Sequence, residues 1–215
     1  MNKQLDKDLE LLNKMLFQMS DLVVKNIAEA FSFYKGEITE EEIDINDDIV
    51  DQYEKLVESL CLSIILRERP YARDLRQVTG VLKLVADLER IGDQAEDIVE
   101  VSYKINALKN GKIERMEKFV NVTLSMVKES ILSYINKDIP LAREVIKRDE
   151  IVDKMYLEMI EYFVEEGTHA KIGVLFAIYN TLVVKYIERI ADHAVNIAEW
   201  VIYISSGFHK EEKIF

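Results

Sequence analysis

Apolar residues recur at intervals of three and four along almost the whole chain, the period of a helix with one buried face. Leu5, Leu9, Leu12, Leu16, Met19, Val23 and Ile27 form one such stripe and predict a first helix over roughly residues 5–34. Gly36 breaks it. Thr39 followed by Glu42 has the form of a capping box and predicts a second helix opening there and running to about Arg67. Pro70 stops that helix, and a third is predicted from about Ala72 to Leu108, ahead of the turn pair Asn110-Gly111. A fourth spans about 113–136 and ends at NKDIP. The fifth runs from about Leu141 to Glu165, where Gly167 closes it. Thr168 is expected to cap the sixth, which reaches about Ser205, and the polar tail GFHKEEKIF is expected to fray. Ile172 to Val184, IGVLFAIYNTLVV, is the longest uncharged stretch. A bilayer needs about 20 apolar residues, so this stretch reads as a helix buried among other helices.

The chain has only 2 Pro and 7 Gly in 215 residues, so long helices with short connections follow, and with them antiparallel neighbours. The pattern also repeats. VADLERIGDQAEDIVE (Val85–Glu100) matches VKYIERIADHAVNIAE (Val184–Glu199) at an offset of 99 residues, from Glu89 to Glu188. Upstream, DDIVD (Asp47–Asp51) matches DEIVD (Asp149–Asp153) at an offset of 102, from Asp47 to Asp149. A duplicated three-helix unit explains both matches. The predicted fold is all-α: two tandem, pseudo-symmetric three-helix bundles, the first over residues 1–110 and the second over 111–215.

Residues four apart on a helix share a face, turned by roughly 40° and displaced by about 6 Å. Asp47/Asp51, Glu89/Asp93, Asp149/Asp153 and Glu188/Asp192 are therefore four same-face carboxylate pairs. Folding the second and third helices back at Pro70 brings residues 47–51 level with 89–93. Folding the fifth and sixth at Gly167-Thr168 brings 149–153 level with 188–192. Like charges so placed repel unless they face water, take up protons or share a cation. Hard, oxygen-preferring divalent or trivalent ions are the expected ligands, with Asp97 and Asn196 extending each stripe by one more oxygen donor. The alternative is a solvated acidic face. His193 has Gln94 as its repeat partner, His169 sits at a helix start and His209 in the tail, so none is expected to bind metal, and no duplicated Glu-x-x-His of the di-iron type occurs.

Net charge is −12 and the sequence pI about 4.9, a balance that repels nucleic-acid phosphates and suits cations or a basic protein patch. The single cysteine, Cys61, lies in the apolar run LCLSIIL and is expected to be a buried, inert thiol. The charged opening MNKQLDKDLELLNKML lacks the features of a signal peptide, so a cytoplasmic location is expected. No Gly-rich phosphate loop, nucleophile elbow or zinc spacing occurs. Arg90 and Arg189 are expected to pair with the adjoining acids, and Arg69, Arg73 and Arg76 either to be solvated or to meet an anion.

These motifs together resemble the PhoU family of phosphate-signalling regulators. The resemblance covers nearly the whole length and rests on DDIVD, on ERPYARDLRQVTGVLKLVADLERIGDQAEDI, and on DEIVD with YIERIADHAVNI. The second half departs from it, with AKIGV where the first has ARDLR and Asn196 where the first has Asp97, so the second site is expected to bind metal more weakly or differently. The resemblance implies paired three-helix bundles, homodimers, and E/D-x-x-x-D motifs holding clusters of metal such as iron, zinc, manganese or magnesium. It also implies a non-catalytic adaptor, peripheral to the membrane only through its partners. Those are the ATPase subunit of the phosphate ABC transporter and the phosphate sensor histidine kinase. Two other readings stand beside it: a metal-dependent phosphohydrolase with carboxylate-bridged clusters, and a structural bundle that binds only helices.

Overall fold

The computed structural model describes residues 3–108, 113–209 and 212–213. Nearly all of them lie in six helices: α1 (Lys3–Tyr34), α2 (Asp47–Glu68), α3 (Arg73–Ala107), α4 (Glu114–Asn136), α5 (Ile139–Thr168) and α6 (Val174–Ser206). Helices α1–α3 pack as one three-helix bundle and α4–α6 as a second. The predicted boundary between the repeats, with its turn pair Asn110-Gly111, lies outside the described residues. The stripe of α1 is buried as its spacing predicts, with Leu9 only partly covered.

Four helix ends differ from the sequence pattern, each for a local reason. The Thr39–Glu42 box forms, with the Thr39 amide donating to Glu42 at 2.8 Å, but it closes a turn and not a helix. The segment after it is held against α1 instead: the Asp44 amide donates to Glu29, the Asn46 amide to Asn26, and Ile43 and Ile45 pack on the core. Helix α2 therefore starts eight residues after Thr39, at Asp47. At the other turn, α5 continues through Gly167 to Thr168, whose hydroxyl bonds back to the Val164 carbonyl, so Gly173 and not Thr168 stands at the start of α6. In α5 itself, the Asp138 side chain accepts from the Leu141 amide, and Pro140 needs no donor in the first turn, so the helix begins ahead of Leu141.

The tail does not simply fray. Gly207 takes a left-handed conformation (φ 84°) that turns the chain back, and Phe208–His209 (β1) pairs antiparallel with Glu212–Lys213 (β2).

Helices α3 and α6 pack along each other more extensively than any other pair, so one hydrophobic core runs through both bundles. Leu84, Leu88, Ile91 and Ile98 of α3 and Val183, Ile187, Ile190 and Ile197 of α6 are all at most 1% exposed. At about 1.5–3 kcal/mol per fully buried side chain of this kind, this seam is a large part of the driving force for folding. At Gly80 the helices approach closely, and a Cβ there would come 2.3 Å from Ile204 Cγ1. A buried hydrogen bond also crosses between the repeats, Tyr34 Oη donating to Asn180 Oδ1 at 2.6 Å. Helices α2 and α5 lie outside this pair, on α3 and α6 respectively, and do not touch each other.

The uncharged stretch of α6 is not enclosed as expected. Phe176, Asn180, Val183 and Val184 are buried, but Val174, Leu175, Ile178 and Leu182 are exposed. Among the described residues α6 is covered by α3, α4 and α5, and nothing crosses its remaining side at this end. Cys61 is buried, and burial pushes its thiol up to about 12. Among the described residues no helix is long and apolar enough to cross a membrane.

Candidate functional site

In the first repeat, Asp47 opens α2 and its side chain lies over α3 where residue 92 has no side chain. A Cβ on Gly92 would sit 3.1 Å from Asp47 Oδ1. That oxygen is buried and has no hydrogen-bond partner. Burial raises the Asp47 carboxyl from 3.8 to about 6, and the charges of Glu96, Asp93 and Asp51 add to the rise. Glu89 is raised from 4.5 to about 7, by burial first and then by Asp93, against the pull of Arg90. Glu54 and Asp51, from α2, push it the same way. The pairs Asp47/Asp51 and Glu89/Asp93 thus share one patch across two antiparallel helices, at the height their spacing predicts. Arg90 lies on its flank as expected, 3.4 Å from Glu89 and 3.0 Å from Asp93.

The second repeat builds the same patch between α5 and α6. Asp149 is raised from 3.8 to about 6, by burial first and then by Asp153, Asp192, Glu188 and Glu199. Asp192 is also raised, by burial and by Glu188, with Lys185 and His193 opposing. Asp149 Oδ1 is again buried without a hydrogen-bond partner, at the position equivalent to Asp47. Lys185 donates to Glu188 here, whereas the first repeat has Ala86 at the matching place. Each patch therefore carries a cation, Arg90 in the first and Lys185 in the second, from different positions of the repeat.

Asp97 and Asn196 belong to the α3–α6 seam as well as to their stripes. Asn196 Nδ2 donates to Asp87 Oδ1 at 3.1 Å, and the His193 ring donates to the same oxygen through Nδ1 at 2.9 Å. Asp97 is raised by burial and by Glu100 and Asp93, and Arg189 pulls it back. Its charge in turn raises Tyr186, after burial. Arg189 thus acts across the seam toward Asp97, where pairing with its own helix's acids was expected. His169 Nδ1 caps the Glu165 carbonyl at 2.9 Å. The patch members missed from sequence are Glu54, Glu96 and Glu199, each seven residues beyond a predicted acid (Asp47, Glu89 and Asp192). That two-turn spacing on one helix face was the signal available.

As they stand, no three His, Cys, Asp or Glu side chains among the described residues are gathered into a set that could hold a metal ion. The donor chemistry nevertheless fits a hard cation. Both patches offer carboxylate oxygens only, both hold their acids against mutual repulsion, and each leaves one buried oxygen unpartnered at the same repeat position.

An all-helical chain made of two copies of one three-helix unit, with a carboxylate patch between the second and third helix of each, is a tandem-repeat bundle whose sites are duplicated with its fold. A model described as the PhoU domain matches it twice, over residues 16–102 and 116–201, one copy on each bundle. The chain is 32% identical over 209 residues to a protein of Clostridium acetobutylicum, covering 95% of both chains. It is 35% identical over 217 residues to one of Aquifex aeolicus, covering 95% of this chain and 94% of that one. Both are named phosphate-specific transport system accessory protein PhoU homolog. The crystal structure of PhoU from Pseudomonas aeruginosa superposes with a TM-score of 0.88 at 28% identity, over 94% of this chain and 99% of that one. The phosphate transport system regulatory protein PhoU from Streptococcus pneumoniae, at 21% identity, shares the fold with a TM-score of 0.85 over 95% and 98% of the two chains. The chain belongs to the PhoU family.

Proposed function

We propose that this protein is a negative regulator of phosphate uptake and of phosphate-starvation signalling. It acts as a cytoplasmic, non-catalytic adaptor, working as a homodimer. Its partners are the ATPase subunit of the phosphate ABC transporter and the sensor histidine kinase. The names of its relatives as accessory proteins of phosphate-specific transport support this reading.

The observation that carries the metal part is the repeated orphan: Asp47 Oδ1 and Asp149 Oδ1, buried, unpartnered and surrounded by like charge. Asp47, Asp51, Glu89 and Asp93 would hold iron, zinc, manganese or magnesium in the first repeat, and Asp149, Asp153, Glu188 and Asp192 in the second. Bound metal supplies positive charge that relieves the repulsion within each patch. The residues do the rest. Holding a shared cation, the carboxylates on α2 and α3, and on α5 and α6, would tie each helix pair together and set the charge of the face that partners meet. Arg90 and Lys185 hold part of that charge in check when no cation is present.

The experiment combines elemental analysis with phosphate-uptake assays for the Glu89→Ala/Asp93→Ala and Asp149→Ala/Asp153→Ala variants under phosphate-rich conditions. Metal content and repression of uptake are expected to fall together. Unchanged values for both would remove the metal role.

A further inference from the structure

The exposed side of the α6 stretch has a composition that the fold does not require. Val174, Leu175, Ile178 and Leu182 are 68%, 55%, 50% and 40% exposed. At the 99-residue offset, Arg76, Thr79 and Lys83 of α3 stand where Leu175, Ile178 and Leu182 stand in α6. A need of the bundle itself would act on both copies. At these three positions only the second copy is apolar toward solvent, whereas Val174 matches Leu75, which is itself 38% exposed.

Helix α5 widens the patch. Lys185 Nζ sits 5.4 Å above the Tyr156 ring, and a Cβ on Gly167 would lie 3.9 Å from that of Ala177. These contacts fix the α5–α6 register and place Leu157 within a turn of Leu182 and Val164 level with Ile178, with Leu157 and Val164 both on exposed positions of α5. On the border, Lys154, Lys171 and Lys185 are each paired with a carboxylate, which leaves the remaining charge acidic. Glu161 and Glu165 continue the exposed ridge of α5 around Val164, and the second carboxylate patch begins just beyond Leu157 at Asp153.

We propose that this face of α5 and α6 is the docking site for one amphipathic helix of a protein partner. That helix carries apolar residues at i, i+3 or i+4 and i+7, with Lys or Arg along its flanks. The inference rests on the adaptor reading above and gives it a surface. A shallow apolar track between two antiparallel helices accepts a third helix laid along it. Charge selects the occupant: an acidic rim on a chain of net charge −12 repels anionic lipid headgroups, and a second copy would bring two such rims together. Basic flanks instead meet Glu161, Glu165 and Asp153.

The test uses the full chain and a labelled Leu/Lys amphipathic peptide of about 18 residues, with a Leu/Glu peptide of the same pattern as control, read by fluorescence anisotropy. The Leu/Lys peptide is expected to bind and the Leu/Glu peptide not to. Ile178→Ser/Leu182→Ser, which leaves the charge unchanged, is expected to weaken binding at least about tenfold with an unaltered circular dichroism spectrum. Equal affinity of variant and wild type overturns the proposal. So does patch-dependent pelleting with phosphatidylglycerol vesicles, or self-association in sedimentation that the same variant abolishes. Capture of the transporter ATPase subunit separates the two levels. If the Ser variant captures it as well as wild type, this surface is wrong while the adaptor reading stands. If wild type fails to capture it and still binds the peptide through Ile178 and Leu182, the surface stands and the adaptor reading fails.

Discussion

Replacing Asp149 by Asn is expected to make the metal-free protein more stable. Asp149 lies in mid-helix, so its charge has no helix end to favour, and its Oδ1 is buried without a partner. Its carboxyl is raised from 3.8 to about 6, by burial and then by Asp153, Asp192, Glu188 and Glu199. Taken at face value, that shift places roughly 3 kcal/mol against the charged form. The group is only half-buried, and screening by solvent reduces the figure to on the order of 1 kcal/mol. Asn keeps the shape, removes the charge and supplies an N–H that can donate to a neighbouring carboxylate. In chelator at pH 7.5, the Asp149→Asn variant is expected to melt roughly 2–4 °C higher than wild type. The sign with pH follows from the raised value: folded Asp149 protonates as pH falls below about 6, before the unfolded carboxyl does, so the advantage shrinks toward pH 4. With metal present the order is expected to reverse, since the variant has lost a ligand. A Tm in chelator equal to or below wild type at pH 7.5 refutes the account of the patch as a repelling cluster.

Wild-type protein in chelator is expected to gain stability as pH falls from about 8 to about 5. Asp47, Glu89 and Asp149 have folded values of about 6, 7 and 6, so the folded state binds more protons over that interval; urea titrations at several pH values measure the slope. Tyr34→Phe leaves Asn180 Oδ1 buried without its donor and is expected to cost about 1–3 kcal/mol in the same titrations. Gly80→Ala forces Ile204 aside at the α3–α6 crossing, with an expected loss of about 1–3 kcal/mol. Adding Ile204→Ala to that variant is expected to recover part of the loss, because the added methyl then has room.

Much of this fold is legible in the residue pattern, because both helix type and the duplicated unit are written in local periodicity. The heptad-spaced stripe of α1, the break at Pro70 and the level pairs Asp47/Asp51 with Glu89/Asp93 depend only on distances along one chain segment and its hairpin. Helix starts are less legible. Thr39–Glu42 has the right residues for a cap, yet Asp44 and Asn46 are held to α1 by Glu29 and Asn26, a tertiary competition that local sequence does not record. The same holds for Asn196 and Asp97. Their spacing aligns them with the acid stripes, but which side of the helix meets the other repeat is set by the α3–α6 packing. The exposed half of IGVLFAIYNTLVV was hidden for the converse reason: apolar composition reports a preference for burial, not whether another helix is there to satisfy it.

The seam chemistry also settles which long helices may partner each other. Asp87 meets His193 and Asn196, while its counterpart Tyr186 stands beside Asp97. Were the α3 helices of two molecules to pair in the same register, Asp87 of one would face Gln94 and Asp97 of the other, opposing carboxylate to carboxylate in a low-dielectric strip. An α6–α6 pairing would leave His193 and Asn196 of each chain without an anionic acceptor. Divergence of the two halves at these few positions thus penalises like-with-like pairing of repeats, and rewards a first half for closing on a second half.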